Sequence, residues 1–252
     1  MRNIELNPEY ESLCHFVECL PENFDGVGRL IFNGRNKIRR ATVEGRDIVI
    51  KRFRKMDFFK QIVYTFFRKD KAYRSYHNAM ALLEKGFCTP KPVAYVAFKK
   101  GMLLSDIYYV CEYTDYEDIK TPLIDSEPFD EKLAMSYARF VARLHESGVL
   151  HKDLNPTNVI YKKIADGEYD FQLIDVNRMR FYEGSVPKAE CMENLTLFWW
   201  LTDVYRFVLK AYAEERKWSE EDYVEAVRVK QQHDRRWIRR KRFTAMFKHK
   251  KK

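Results

Sequence analysis

The decapeptide HKDLNPTNVI, residues 151–160, is the feature that most constrains how this chain can fold. It follows a run from Asp130 to Ser147 whose apolar residues recur at helical spacing, with Gly148 placed to end the helix. Two strand-like runs, VIYKKI and YDFQLIDV, come next around the turn ADGE. The sequence therefore predicts a helix, a polar loop and a hairpin that ends near Asp175. The apolar stripe of the predicted helix comprises Leu133, Tyr137, Phe140, Val141 and Leu144.

The polar residues of this loop are of the kinds that phosphoryl transfer requires. That reaction needs a carboxylate near the attacking hydroxyl, oxygen ligands for a metal, and a lysine on the phosphates. The run His151-Lys152-Asp153-Leu-x-x-x-Asn158 fits the catalytic-loop pattern of protein-kinase-like enzymes, with Lys152 in place of arginine. Asp175 comes seventeen positions after Asn158, which leaves room for one hairpin that returns it to the same end.

The pattern also suggests how the roles divide. An aspartate in water has a pKa of about 3.9, so Asp153 is expected to orient a hydroxyl and accept its proton late. Asn158 and Asp175 offer the hard oxygen atoms that Mg²⁺ prefers. His151 is expected to be structural. Any of these residues alone would more often be a turn or cap residue, and only their joint pattern favours kinase-like chemistry.

Residues 26–114 predict the order strand, strand, strand, helix, strand, strand. Lys51, in IVIKRF, lies on the third strand, where alternation puts Val49 and Lys51 on one face. ATP phosphates would give this lysine a partner, and the alternative is a lysine on an edge strand. Gly34 and Asn36, in the turn NGRN, lie where a phosphate loop belongs, but the glycines here do not form GxGxxG.

The net charge of +9 belongs to one end of the chain. Residues 235–252 hold ten Lys or Arg and no acid, which leaves about −1 for residues 1–234. Such a basic tail suits an anionic bilayer surface or nucleic acid, and the alternative is a solvated or disordered end. Its interleaved apolar residues are Trp237, Ile238, Phe243, Met246 and Phe247.

The rest of the composition excludes several classes of protein. Five cysteines form no CxxC pair, so neither a zinc site nor a disulfide framework is expected. The N-terminus lacks the apolar core of a secretion signal, and no stretch approaches eighteen apolar residues. These features predict a protein of the reducing cytoplasm.

Several segments together resemble the lipopolysaccharide core kinases of the Kdo/WaaP family over about residues 28–210. They are the Lys51 strand, KAYRSYHNAMALLEKGFCTPKPVAY, RLHESGVLHKDLNPTNVI, and LIDVNR in place of DFG. The resemblance implies an α+β, protein-kinase-like bilobal fold. We expect a small antiparallel-sheet N-lobe with helix αC at 1–113, a shortened, mostly helical C-lobe at 114–234, and the basic aromatic tail at 235–252.

The resemblance also implies the cofactors and the acceptor. ATP and Mg²⁺ would be bound, and the acceptor would be a Kdo or heptose hydroxyl of the lipopolysaccharide inner core, at the cytoplasmic face of the inner membrane. Asp153 would be the catalytic aspartate, Lys51 the phosphate lysine, and Asn158 and Asp175 the Mg²⁺ ligands. The other residues expected at the nucleotide are Gly34, Asn36, the backbone groups of Glu112 and Thr114, and Cys111 as gatekeeper.

One departure from the family concerns the helix acid that pairs with the lysine. Ser75 occupies its position, counting back from Gly86, and a serine cannot form that ion pair. Three alternatives stay open: Glu84 supplies the charge in a shifted register, Lys51 is held by phosphate and Asp175 alone, or activity is reduced.

Two other functions compete with a sugar kinase. A Ser/Thr protein kinase is disfavoured because only 77 residues follow Asp175 and no APE-like segment appears. The other alternative is a catalytically weak pseudokinase that binds the membrane, whereas nucleic acid is an unlikely partner. Residues 53–71 form a second aromatic-basic stretch, which suits either interfacial contact or the core.

Overall fold

The computed structural model describes residues 2–54 and 57–249. The chain forms two compact units. The first contains the chain up to Asp115 together with Leu173–Arg178, and the second contains Tyr116–Gln172 together with the chain from Met179 onward. The division expected from the sequence assigned all of 114–234 to one lobe, whereas the contacts group the segment around Asp175 with the first unit.

An antiparallel sheet is the framework of the first unit, as the sequence predicted. The strands are β1 (Arg2–Leu6), β2 (Arg29–Asn33), β3 (Lys37–Val43), β4 (Arg46–Arg52), β5 (Pro92–Lys100) and β6 (Leu103–Glu112). Their order in the sheet is β1-β5-β6-β4-β3-β2, and the three-strand meander and the later hairpin are both confirmed. The first strand was not predicted; it pairs antiparallel with β5 through contacts such as Ile4 with Val96.

Helices cover both faces of this sheet because its strands alternate apolar side chains between the two faces. Ile48 and Ile50 of β4 are buried against the N-terminal helices α1 (Cys14–Glu18) and α2 (Leu20–Asn23) and the 3₁₀ turns beside them. A second cluster of buried residues contains Tyr95, Tyr109 and Phe53, which pack with Ala72 and Tyr76. These last two residues belong to α4 (Lys71–Glu84), which follows α3 (Phe58–Phe66).

Helix α4 has defined ends. The side chain of Asp70 accepts a hydrogen bond from the Tyr73 amide at 2.9 Å, which caps the N-terminus. Its other carboxylate oxygen accepts from the Tyr95 hydroxyl at 2.6 Å, which ties the cap to the sheet. Gly86 ends the helix as predicted, with a φ of 79° that favours glycine.

The second unit is mainly helical around a hairpin, as expected. The predicted apolar stripe of the helix after Asp130 is buried, and the predicted hairpin follows the polar loop. Gly148 has a φ of 72°, and a Cβ there would lie 2.3 Å from the Gly184 carbonyl oxygen, so only glycine fits. The elements are β7 (Glu117–Asp118), α5 (Glu131–Glu146), β8 (Val149–His151), β9 (Val159–Ala165), β10 (Glu168–Leu173), β11 (Met179–Phe181), α6 (Lys188–Leu195), α7 (Asp203–Glu215) and α8 (Glu220–His249).

Helix α8 runs through the boundary that the sequence placed before residue 235. Lys230 anchors it, because its buried Nζ donates to Thr196 O at 3.0 Å and to Asp234 Oδ1 at 2.7 Å. The Trp237 ring packs edge-on against Trp200 at 4.7 Å between centroids. Beyond that contact the side chains of α8 up to residue 245 are exposed, and those of Met246 and Phe247 lie outside the described residues.

Among the helices that the structure describes, none is both long and apolar enough to pass through a bilayer.

Candidate active site

Lys51 and Asp175 form an ion pair within the first unit. The Nζ atom of Lys51 lies 2.6 Å from Asp175 Oδ1. Ser75 is buried and its hydroxyl donates to the Lys71 carbonyl oxygen at 2.9 Å. Glu84, the one acid in α4, is exposed at the last residue of the helix. The protein partner of Lys51 is therefore Asp175, and a shifted helix register does not supply one.

Two asparagines hold the turn that carries Asp175. The backbone of Asp175 has a φ of 55°, a left-handed conformation that a non-glycine residue adopts only when its surroundings stabilise it. The Nδ2 of buried Asn177 donates to Asp175 Oδ1 at 2.7 Å. Asn78, on α4, donates to Val176 O at 2.7 Å. Sequence reasoning missed both, although Asn78 lies three positions after Ser75 and so on the same side of the helix.

Gly34 and Asn36 lie in the turn between β2 and β3. The Gly34 amide donates to Asn36 O at 3.2 Å, and Asn36 Oδ1 accepts from the Arg54 amide at 3.2 Å. A Cβ on Gly34 would lie 2.6 Å from the exposed Phe32 ring, so a larger residue here would require that ring to move. A cavity of about 300 Å³ adjoins it and is strongly basic, although Lys37 and Arg52 also pair with Asp25. The cavity is lined by Gly34, Arg35, Lys37, Arg52, Phe53 and Arg54.

The end of β6 carries the residues expected at the adenine. The backbone N–H of Glu112 donates to Lys91 O at 2.9 Å, so this N–H is already engaged within the protein. Its side chain lies 3.6 Å from Arg46. Cys111 is partly buried, and this burial raises the pKa of its thiol to about 12. The thiol is therefore neutral near pH 7 and behaves as a small apolar side chain.

Asp153 and Asn158 lie together in the second unit, on the loop after β8. The Nδ2 of Asn158 donates to the Asp153 carbonyl oxygen at 2.8 Å, which orients the amide so that its Oδ1 is the end that could bind a metal. Asn155 caps the short 3₁₀ turn Pro156–Asn158 through a bond from the Thr157 amide at 3.0 Å. These local bonds set the geometry of both side chains.

A buried polar network fixes the start of this loop. His151, fully buried, accepts a hydrogen bond at Nδ1 from the Asp153 amide at 3.1 Å, which agrees with its predicted structural role. The Nδ2 of Asn194 donates to His151 O at 2.9 Å, so the Asn194 Oδ1 must accept, here from His145 Nε2 at 3.1 Å. The remaining ring nitrogen of His145 then accepts from the Tyr212 hydroxyl at 2.9 Å.

Burial explains the protonation state that this network assigns to His145. Full burial of its side chain, helped by the positive charge of Arg216, lowers its pKa from 6.5 to about 4. His145 is therefore neutral at pH 7. Sequence reasoning missed His145, Asn194 and Tyr212, because nothing local in the sequence links three residues on three helices.

The metal ligands expected from the sequence are two oxygen donors. Within residues 2–54 and 57–249, no cluster of three or more His, Cys, Asp or Glu side chains could hold a metal ion. The candidates are one carboxylate, Asp175, and one carboxamide, Asn158. Each of these oxygen donors, taken within its own unit, is of the type that Mg²⁺ prefers, and Mg²⁺ usually keeps several waters and substrate phosphates among its ligands.

Comparison with known proteins places the chain in a family. The model for the "Lipopolysaccharide kinase (Kdo/WaaP) family" matches residues 33–229, well over half of the chain. A 3-deoxy-D-manno-octulosonic acid kinase of Haemophilus influenzae (strain 86-028NP) is 26% identical over 129 residues, 50% of this chain and 52% of the relative. The enzyme of the same name from Vibrio vulnificus (strain YJ016) is 24% identical over 151 residues, 58% of this chain and 62% of the relative.

The matched region thus spans about half to three fifths of the length of these curated relatives. A solved structure described as "WaaP in complex with acyl carrier protein" superposes with a TM-score of 0.64 and 17% identity. The superposition covers 93% of this chain and 98% of the solved chain, which confirms the predicted protein-kinase-like fold. The chain belongs to the lipopolysaccharide kinase (Kdo/WaaP) family.

Proposed function

We propose that this protein is an ATP-dependent kinase that transfers the γ-phosphate to a Kdo or heptose hydroxyl of the lipopolysaccharide inner core. The observation that carries the proposal is the Lys51–Asp175 ion pair in a chain of this family. The pair joins a lysine on a strand to a carboxylate that follows the hairpin. A lysine is the group that nucleotide phosphates require, and a carboxylate is the group that their metal requires.

In this proposal the lysine and the oxygen ligands have separate roles. Lys51 binds the phosphates of ATP, and Asp175 and Asn158 would hold Mg²⁺ through their oxygen atoms. Mg²⁺ bound there would supply positive charge opposite the phosphates. Asn158 can present only its Oδ1, because its Nδ2 is already bonded to Asp153 O.

Asp153 acts on the acceptor. Its carboxylate orients the sugar hydroxyl, whose oxygen forms a bond to the γ-phosphorus while the bond from that phosphorus to the bridging oxygen of ADP breaks. The hydroxyl proton passes to Asp153 late in this step. The hydrogen bond from the Asp153 amide to His151 supports the role, because it orients the loop through the buried network.

The nucleotide base and the phosphate loop complete the proposal. The Glu112 carbonyl and the backbone of Thr114 bind adenine, with Cys111 behind it as a small neutral gatekeeper. Gly34 and Asn36 keep the turn between β2 and β3 in the shape that meets the phosphates. The basic cavity beside this turn supports the assignment, because phosphates are anionic.

A transfer assay tests the function. The full chain is incubated with γ-labelled ATP, Mg²⁺ and one of three acceptors: purified inner-core lipid, peptide, or none. Label is expected on the lipid, and sugar analysis then identifies the phosphorylated residue. Transfer to peptide alone would reject the sugar-kinase proposal.

A pseudokinase is the second candidate, and Ser75 is the observation that favours it, because it cannot supply the helix acid. Nucleotide binding without transfer to any acceptor would select this candidate. We also propose testing a protein partner, because the WaaP structure contains acyl carrier protein.

Because the proposed acceptor is anchored in lipid, the kinase acts at the inner face of the inner membrane. The basic end of α8 contacts the anionic surface of this membrane. The exposed side chains of Ile238 and Phe243 among basic residues support this placement.

A further inference from the structure

The first unit exposes an unusual number of large apolar side chains around α3. Five of them expose between 56% and 81% of their surface. Phe59 and Phe66 are seven positions apart and so lie on the same side of the helix. We name this group the α3 surface; it consists of Phe58, Phe59, Phe66 and Phe67 with Met102 in the turn between β5 and β6.

The turn that carries Met102 lies beside the end of α3. The Leu104 amide donates to Thr65 Oγ1 at 3.0 Å, which fixes the start of β6 to the last turn of the helix. The rings of Phe66 and Phe67 lie 6.5 Å apart in an edge-to-face arrangement. Helix α3 is therefore docked on the sheet by its inner residues while these phenylalanines face solvent.

Basic side chains lie beside one part of the α3 surface. A cavity of about 360 Å³ brings Phe66 and Phe67 together with Lys69 and Lys99. The acid that also lines it, Asp70, is buried and already accepts bonds from the Tyr73 amide and the Tyr95 hydroxyl. The charge that this cavity offers to a partner is therefore positive.

We infer that the α3 surface binds an anionic lipid bilayer. Phenylalanine and methionine suit either a protein or a lipid partner, but lysine is depleted in protein–protein interfaces, so the lysines beside these residues favour lipid. Exposed aromatic side chains ringed by lysine and arginine are instead typical of helices that lie in the membrane interface. The opposite charge of acidic lipid headgroups complements the rim.

This site differs from the basic end of α8, which lies in the other unit, and it requires no nucleotide or sugar. Its test is therefore independent of the proposed kinase activity. Binding is measured by sedimentation of the full chain, with residues 235–252 intact in every variant. The vesicles contain phosphatidylcholine with or without phosphatidylglycerol, and no ATP is added.

The apolar contribution is tested by F58S/F59S/F67S. These side chains are exposed, so the variant should keep the thermal midpoint of the wild type. Binding to vesicles with phosphatidylglycerol should weaken at least tenfold. The matched control, I164S/V224S, removes exposed apolar side chains from the second unit and should change binding less than twofold.

The charges are tested by K99Q/K100Q. This variant should weaken binding to vesicles with phosphatidylglycerol about fivefold for each charge removed, and only at low salt. Amide hydrogen exchange gives a readout without mutation, because residues 58–67 and 99–103 should become protected on vesicles. Equal vesicle binding by wild type and F58S/F59S/F67S, or no protection of these segments, would overturn the inference. Binding of acyl carrier protein that the variant loses while vesicle binding is unchanged would assign the surface to a protein instead.

Discussion

The Nζ atom of Lys51 lies 2.6 Å from Oδ1 of Asp175, a residue 124 positions later in the chain. Because Ser75 cannot supply the helix acid, Asp175 both orients the lysine and is the candidate metal ligand. The same carboxylate oxygen also accepts from Asn177. Loss of this one side chain should therefore disturb both Lys51 and the proposed metal site.

Replacing Lys51 by methionine should abolish phosphate binding and leave the fold largely intact. We expect the transfer rate to fall at least about 100-fold, because the phosphates lose their cation. The free energy of unfolding should change by at most about 1 kcal/mol, because Asp175 is 36% exposed and its charge is partly solvated. Lys91→Met, which removes an exposed pair with Glu9, is the control and should leave both quantities unchanged. A Lys51→Met rate within fivefold of wild type would contradict the assignment.

Asn78 should act as a positioning residue for Asp175. Asn78→Ala removes the bond to Val176 O, worth about 1 kcal/mol, and frees the turn that carries Asp175, the proposed metal ligand. We expect the KM for Mg-ATP to rise several-fold, and more Mg²⁺ to be needed for half-maximal rate. Glu84→Ala, on the same helix but exposed, is the control. If KM and the Mg²⁺ requirement stay the same while only the thermal midpoint falls, Asn78 is merely structural.

Asp153→Ala should separate chemistry from binding. The variant should lose at least about 1,000-fold in transfer, because no carboxylate orients the hydroxyl, while its affinity for ATP changes less than threefold. Asp166→Ala, in the exposed hairpin turn, is the matched control. Transfer and equilibrium nucleotide binding are measured on the same samples. Full turnover by Asp153→Ala would refute the role.

The neutral state of His145 should make stability depend on pH. Its folded pKa of about 4 lies below the unfolded value of 6.5, so its contribution is complete above pH 6.5 and is lost as pH falls toward 4. Between pH 7 and pH 5 the loss should be about 2 kcal/mol. His145→Gln, which can still donate to Asn194, should be less stable at pH 7 but should lose less on acidification. Equal pH slopes for the two proteins, measured by chemical denaturation, would contradict this account.

The basic end of α8 should be removable if the cut spares Trp237. Deleting residues 239–252 removes eight Lys or Arg and should weaken binding to anionic vesicles while leaving the thermal midpoint and ATP affinity nearly unchanged. Deleting 235–252 also removes the contact of Trp237 with Trp200 and should destabilise the fold by about 1–3 kcal/mol. Unchanged vesicle binding after the shorter deletion would exclude a membrane role for this end.

The sequence by itself predicted the elements whose signals are local. The apolar stripe from Leu133 to Leu144 identified α5 within one residue at each end, and alternation identified β4 and the side on which Lys51 points. The catalytic-loop spacing singled out Asp153 and Asn158, which share a hydrogen bond. These features depend on neighbours a few positions away, so periodicity and turn chemistry are enough to reveal them.

Only the tertiary structure decided which distant groups meet. Residues 2–6 complete the sheet by pairing with β5, about ninety positions later. Asn78 reaches Val176, and His145 joins Asn194 and Tyr212, across separations of 98, 49 and 67 positions. The choice between Glu84 and Asp175 as partner of Lys51 was equally hidden. Hydrogen bonds and ion pairs between elements depend on how folded surfaces pack, and no spacing along the chain encodes that packing.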